Sequence, residues 1–238
     1  MQKLKLSPET FTVLKNFYSI NENLFVRTGN VLTTVSQGKT IFARYETPEV
    51  FESEFGLYRL DKLISVLSLM MEKQTEEGKP SVDVFPEIEI TQNGLKVSSK
   101  GQSAKITFAD PEVLVYPKKD YLDMPDVDVS FSLTEDQIRR ILRLAAAMNL
   151  PFLSFEGKDG KISMKALDID NPSGDTFDIT IPAETNHKFQ ALFDVTNFKM
   201  IPADYDVEIA MSGKIKVAKF HNDKLIYWIA VHKNSSID

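Results

Sequence analysis

His187, His221 and His232 are the side chains in this sequence with the readiest proton or metal chemistry. None stands at metal-ligand spacing from another, so each reads as a surface or turn residue. Asp168, Asp170 and Asp175 in DIDNPSGD have the carboxylate density with which a calcium loop begins. Pro172, however, takes the place of the fifth ligand, Ser173 rather than glycine follows it, and Ile179 stands where a bidentate glutamate belongs. Gln37-Gly38-Lys39-Thr40 has the end of a phosphate-binding loop without the glycine-rich run before it, so it reads as a hairpin turn. The G-x-S-x-G and G-x-G-x-x-G patterns do not occur. With no cysteine, disulfides, thiolate metal sites and cysteine nucleophiles are excluded. No catalytic residue, metal set or cofactor site is expected, and the chain does not read as an enzyme.

The residues that do hold a pattern are arginines. Thr134 to Asn149, TEDQIRRILRLAAAMN, opens with a capping box of Thr134 and Gln137. Ile138, Ile141, Leu142 and Ala145 then recur at helical spacing and predict a buried stripe. Arg139, Arg140 and Arg143 fall on the other side, with no carboxylate among them after Asp136. Two readings follow: an ordinary solvated face, or a local basic surface turned toward a polyanion. The chain as a whole is acidic, with 28 Lys and Arg against 34 Asp and Glu. That balance argues against a protein coated by nucleic acid and leaves a local basic surface open.

These positions need a scaffold, and 238 residues suffice for one large or two small domains. No apolar run approaches the ~18 residues of a membrane helix, and MQKLKLSPET holds none, so a cytoplasmic protein is expected. Leu4 and Leu6 alternate as a strand, and Ser7-Pro8 then starts a helix with Phe11, Leu14, Phe17 and Tyr18 inward and Thr12, Lys15 and Ser19 outward. Strands are predicted at Leu24–Arg27, Val31–Val35, Thr40–Tyr45 and Phe51–Leu57, and a Leu-rich helix at Arg59–Met71 that exposes Lys62, Ser65 and Ser68. A polar loop at Lys73–Pro80 precedes strands Ser81–Val84, Glu87–Thr91, Leu95–Ser99 and Ala104–Phe108.

From Ala109 to Asp128 three prolines and many charges read as a linker, within which Val113, Leu114, Val115 and Tyr116 are apolar in a row. The first half then starts again. LKLSPETFTVLKNF is echoed by FSLTEDQIRRILRL, and a hairpin follows at Phe152–Phe155 and Ile162–Leu167 around Lys158-Asp159-Gly160. Thr176–Ile181 repeats Phe51–Leu57, Phe189–Phe193 leads to a short helix Val195–Met200 capped by Asp194, and strands Tyr205–Met211, Lys214–Phe220 and Lys224–Val231 close the half. The expected fold is a duplicated α+β unit: a domain over residues 1–110, a linker over 111–128 and a second domain over 129–238. Ala104–Phe108 and Asp175–Ile181 are the expected edge strands, which either pair between copies or are capped by charge.

In LSPETFTVLKNFYSIN, NFKMIPADYDVEI and VAKFHNDKLIYWIAV, by order and spacing, the chain resembles the sliding DNA clamps of T-even-type bacteriophages. LVYP, Leu114 to Pro117, is similar to the linker of the eukaryotic clamp, the proliferating cell nuclear antigen. The resemblance implies a homotrimeric ring of six similar domains, with helices lining the hole and antiparallel sheets outside. It implies duplex DNA threaded without sequence reading, with Lys15, Lys62, Arg139, Arg140, Arg143 and Lys199 facing it. Subunits would join through Ala104, Ile106 and Phe108 of one edge strand and Phe177, Ile179 and Ile181 of the other. Partner peptides would enter a pocket walled by Leu114, Tyr116 and Pro117, with Val35, Phe42, Trp228 and Val231; for Trp228, ordinary core packing is the competing reading. The implied partners are the replicative DNA polymerase, an ATP-dependent clamp loader and, in some members, transcription factors, all in the cytoplasm of the bacterial host. The alternative is a phage structural protein, tube- or tail-like, built of duplicated β-rich domains.

Overall fold

A computed structural model describes residues 1–74 and 82–238. The expected loop Lys73–Pro80 and the start of the strand expected at Ser81 lie largely outside the described residues. The chain folds as two compact units. The first comprises residues 1–37 and 43–120, the second residues 38–42 and 121–238. No helix among the described residues is long and apolar enough to cross a membrane.

The first unit runs β1 (Gln2–Leu4), α1 (Pro8–Ile20), β2 (Leu24–Val26), β3 (Gly29–Val35), β4 (Ile41–Phe51), β5 (Phe55–Leu57), α2 (Leu60–Met70), β6 (Glu72–Gln74), β7 (Val82–Val84), β8 (Glu87–Ile90), β9 (Gly94–Ser99) and β10 (Gln102–Thr107). The first two residues of β4 belong to the second unit. Ser7 caps α1, its hydroxyl accepting the Thr10 amide at 3.1 Å, and Pro8 takes the first turn, where a missing N–H costs nothing. Phe11, Leu14 and Phe17 of α1 are buried with Leu63 and Leu67 of α2. Tyr18, expected inward, is 40% exposed. It follows Phe17 directly, and 100° of helical rotation carries it off the apolar stripe. Four strands pair antiparallel in the order β1-β8-β9-β10. The strand expected over Phe51–Leu57 is two strands, because Glu52 to Glu54 are exposed and break the pairing.

The second unit runs β11 (Val129–Leu133), α3 (Glu135–Ala147), β12 (Phe152–Lys158), β13 (Lys161–Leu167), β14 (Phe177–Glu184), β15 (Phe189–Asp194), β16 (Tyr205–Ala210), β17 (Val217–His221), β18 (Leu225–Ala230) and β19 (Ser236–Ile237). One sheet carries β11-β16-β17-β18 in that order and the other β14-β13-β12-β15-β19. Between them Phe155, Phe193, Phe198 and Phe220 meet at centroid separations of 5.3 to 6.4 Å. Ile138, Ile141 and Ala145 of α3 are fully buried, which fixes the helix's rotation. Asp159 and Gly160 adopt φ of 52° and 79°, the left-handed pair that a tight hairpin turn requires. The short helix expected at Val195–Met200 is a single 3₁₀ turn, Val195–Asn197, and the Asp194 side chain makes no cap bond. Pro202 disfavours helical backbone at Ile201, so the turn cannot be extended past Met200.

The repeat of strand, capped helix, strands is thus present in both units. The fold is mixed α+β, with few helices and many antiparallel strands among the described residues.

Candidate nucleic-acid interface and partner surfaces

The capping box of α3 is formed in both directions. The Gln137 amide donates to Thr134 Oγ1 at 3.3 Å, and the Thr134 amide donates to Gln137 Oε1 at 2.9 Å. With the apolar stripe buried, Arg139, Arg140 and Arg143 are all exposed. Their states differ. Arg139 Nε pairs with Glu135 at 2.6 Å, one turn toward the N-terminus. Glu135 precedes Asp136, so the lack of carboxylates after Asp136 does not leave all three arginines unpaired. Such an exposed pair is worth only ~0.3–0.5 kcal/mol, so a phosphate can displace Glu135 at little cost. The Arg140 guanidinium lies 6.0 Å from the Phe177 ring on β14. Arg143 makes no ion pair among the described residues.

In the first unit, Lys15 is exposed and its ammonium sits 4.2 Å from the Phe11 ring centroid. Lys62 is exposed beside Arg59, whose Nε is engaged by Asp61 at 2.8 Å. Arg59, Lys62, Lys105, Ile106 and Phe108 share the lining of a surface cavity of ≈ 230 Å³. Lys199 is exposed on the segment after the 3₁₀ turn.

The segment after β10 does not present four apolar residues in a row. Val113 is 60% and Val115 38% exposed, but Leu114 is buried and Tyr116 half-buried. Leu114 reaches Gly56 of β5 so closely that no Cβ fits there. Tyr116 stacks on Phe25 of β2 at 4.4 Å, with Lys118 and Arg27 near its ring. The Asn21 amide donates both to the Val35 carbonyl at 2.9 Å and to the Val115 carbonyl at 2.7 Å. Asn23 accepts the Val115 amide at 2.9 Å, and Arg27 donates to the Pro117 carbonyl. Leu114, Tyr116, Pro117 and Val35 are therefore tied into the first unit, by Asn21, Phe25 and Arg27. Asn21 and Asn23 were not among the expected site residues; two asparagines directly after a helix are the signal that could have marked them.

Phe42, Trp228 and Val231 are buried in the second unit. The Phe42 and Trp228 rings lie 4.9 Å apart, and Tyr121, which the sequence reading did not single out, stands edge-on to Trp228 at 5.0 Å and 90°.

Each unit also carries an outermost strand. Among the described residues β10 pairs only with β9 and β14 only with β13. Ala104, Ile106 and Phe108 are half-buried, with Phe108 stacked on Phe55 at 4.9 Å; Phe177 and Ile179 are half-buried and Ile181 is buried. The three histidines are dispersed: His187 is exposed, His221 approaches Glu208 at 3.6 Å, and the His232 amide donates to the Leu192 carbonyl. Asp168 accepts the Asp170 amide at 3.0 Å, which is turn geometry.

Residues 130–233 match the family described as gp45 sliding clamp, C terminal. Over 99% of its length the chain is 24% identical to the sliding clamp of Escherichia phage RB69, and 23% identical to that of Enterobacteria phage T4, covering each of those proteins in full. It is 24% identical to the sliding clamp of Vibrio phage KVP40 over 95% of this chain and 98% of that protein. Among solved structures, the A. fulgidus proliferating cell nuclear antigen bound to the C-terminal region of FEN-1 superposes with a TM-score of 0.70 at 11% identity, covering 99% of this chain and 100% of that one. The Entamoeba histolytica protein of the same name gives 0.67 at 10% identity, over 97% of each chain.

Proposed function

We propose that this chain, a relative of the sliding clamps of T-even-type phages and like them a DNA-binding processivity factor without chemistry of its own, closes as a ring of three around duplex DNA. The observation that carries the ring is the pair of outermost strands, one in each unit. Joining β10 of one copy to β14 of the next is a heterologous contact, and heterologous contacts close when the rotation allows. The charges suit the pairing: Lys105 projects from β10, while Asp178 and Glu184 project from β14. Two units per chain give six in a trimer.

The arginines of α3 supply long-range attraction to the phosphate backbone. Exposed and mostly unclamped, they exchange one phosphate for another and read no base, which is what a sliding contact requires. Lys15, Lys62 and Lys199 add to this lining. An acidic total keeps the remaining surface off the DNA. Sliding clamps bind polymerase and other partner proteins; here the segment around Leu114, Tyr116 and Pro117, and the aromatic residues Phe42 and Trp228 with Val231, are the docking surfaces for apolar peptide side chains of the replicative polymerase and of an ATP-dependent loader. Transcription factors would use the same surfaces, and the setting is the bacterial host's cytoplasm.

The test is primer extension by the cognate polymerase on circular template. Arg139→Ala, Arg140→Ala and Arg143→Ala together shorten products while leaving the subunit count intact. Products of unchanged length would contradict a DNA-facing α3.

A further inference from the structure

Trp228 is 2% exposed although strand geometry turns it away from the core between the sheets. On β16, β17 and β18 the paired residues Val207, Phe220 and Tyr227 point into the aromatic core. Alternation turns their neighbours outward, and Glu208, Lys219 and Trp228 form one row across the other face. The first two members satisfy each other as an ion pair at 3.1 Å, with Lys219 only 9% exposed and Glu208 half-buried. The third is the chain's single tryptophan. Its burial on that face needs a cover, and the rings that supply it are Phe42 and Tyr121.

The two covers differ in kind. Phe42 is 5% exposed, in a strand segment tied to β18 by a 2.8 Å bond from the Ala230 amide to the Thr40 carbonyl. Tyr121 is 42% exposed and lies on a segment without secondary structure. Residues 121–127 make no hydrogen bond to the described residues. The segment is held at its ends, by Asp120 on Arg27 and by Asp128, whose carboxylate accepts the Ser212 amide at 2.9 Å and that of Met211. Beneath it, Trp228 Nε1 is buried with no hydrogen-bond partner among the described residues. A buried orphan donor gains on reaching water or an acceptor, so the covered state is not the only favourable one.

We propose that Tyr121 is a resident plug: its ring occupies an aromatic slot formed by Trp228 and Phe42 on the outer face of the β16-β17-β18 sheet, and an apolar side chain of a partner's extended peptide enters by displacing it. This rests on the docking reading given above and adds a competitor from within the chain. The plug lowers apparent affinity by the fraction of time it is seated and keeps the slot from open water between partners. Leu122, 41% exposed on the same segment, moves with it.

Because Trp228 is the sole indole, its fluorescence reports the slot directly. Tyr121→Ala shifts the emission to longer wavelength and raises the acrylamide quenching constant several-fold, while Tyr121→Phe leaves both near the starting value. Wild-type emission and quenching in Tyr121→Ala would overturn the plug. In the unmutated chain, the Trp228 indole N–H exchanges with solvent by local opening, much faster than the Phe220 amide of the core; equal rates for the two would also overturn it. Titration with a tryptophan-free peptide containing adjacent Leu and Phe separates this from the docking reading. Several-fold tighter binding to Tyr121→Ala than to wild type supports both. Equal binding to the two proteins contradicts the plug and leaves docking intact. An exposed Trp228 with no binding to either protein keeps the plug and removes the docking reading.

Discussion

Arg139 and Arg143 lie one turn apart on one helix face and stand in different electrostatic states. Glu135 holds Arg139 at 2.6 Å, whereas Arg143 is exposed and unpaired among the described residues. A phosphate therefore meets the full charge at position 143 and a neutralised pair at 139. Arg143→Ala is expected to reduce extension length on circular template more than Arg139→Ala, and Glu135→Gln to lengthen it at low salt. The salt dependence of DNA association falls with each phosphate contact removed, by ~0.9 in the log–log slope. A second residue-scale expectation concerns Glu49. Burial pushes its pKa up, but hydrogen bonds from Thr10, Thr47 and the Ser7 amide outweigh this and hold it below the ordinary carboxylate value. Its contribution to stability is complete above the unfolded pKa of ~4.3 and is lost as pH falls through the lower folded value. Urea melts of Glu49→Gln and wild type should therefore differ most above pH ~5 and converge in acid.

At the scale of elements, α3 was readable because three local signals agree. The capping box fixes its start, the Ile138–Ile141–Ala145 stripe fixes its rotation, and the arginines take the face that remains. Thr134→Ala removes the Oγ1 acceptor for the Gln137 amide and should cost about 1 kcal/mol in a denaturant melt, with no change in the basic face. Where local signals were fewer, tertiary contacts decided. Nothing in LVYP says that Leu114 would turn in against Gly56 while Val113 and Val115 stay out, since the missing Cβ of a residue far off in sequence makes that room. Val195–Met200 has helix-compatible residues, yet Pro202 and the burial of Phe198 and Met200 leave only one 3₁₀ turn. The row Glu208–Lys219–Trp228 also needed the strand register, because a lone tryptophan in an apolar strand does not reveal its face.

For the molecule as a whole, the duplication was legible as pattern: Ser7 and Thr134 both cap helices that follow a strand, and both units end their sheets on an outermost strand carrying alternating apolar residues. Three subunits do not follow from either unit alone; the proposed count rests on two units per chain and on the resemblance read in the sequence. If β10 and β14 join neighbouring copies, a charge placed among the half-buried apolar residues of one edge opens the ring without touching either core, since Ile179 faces its own sheet only in part. The most direct measurement is the mass of the full chain in solution at micromolar concentration, by light scattering, alongside Ile179→Asp. Three times the 27.0 kDa chain mass is expected for the wild type, and one chain, folded by circular dichroism, for the variant. A wild-type monomer, or an open series of ever larger assemblies, would contradict the ring.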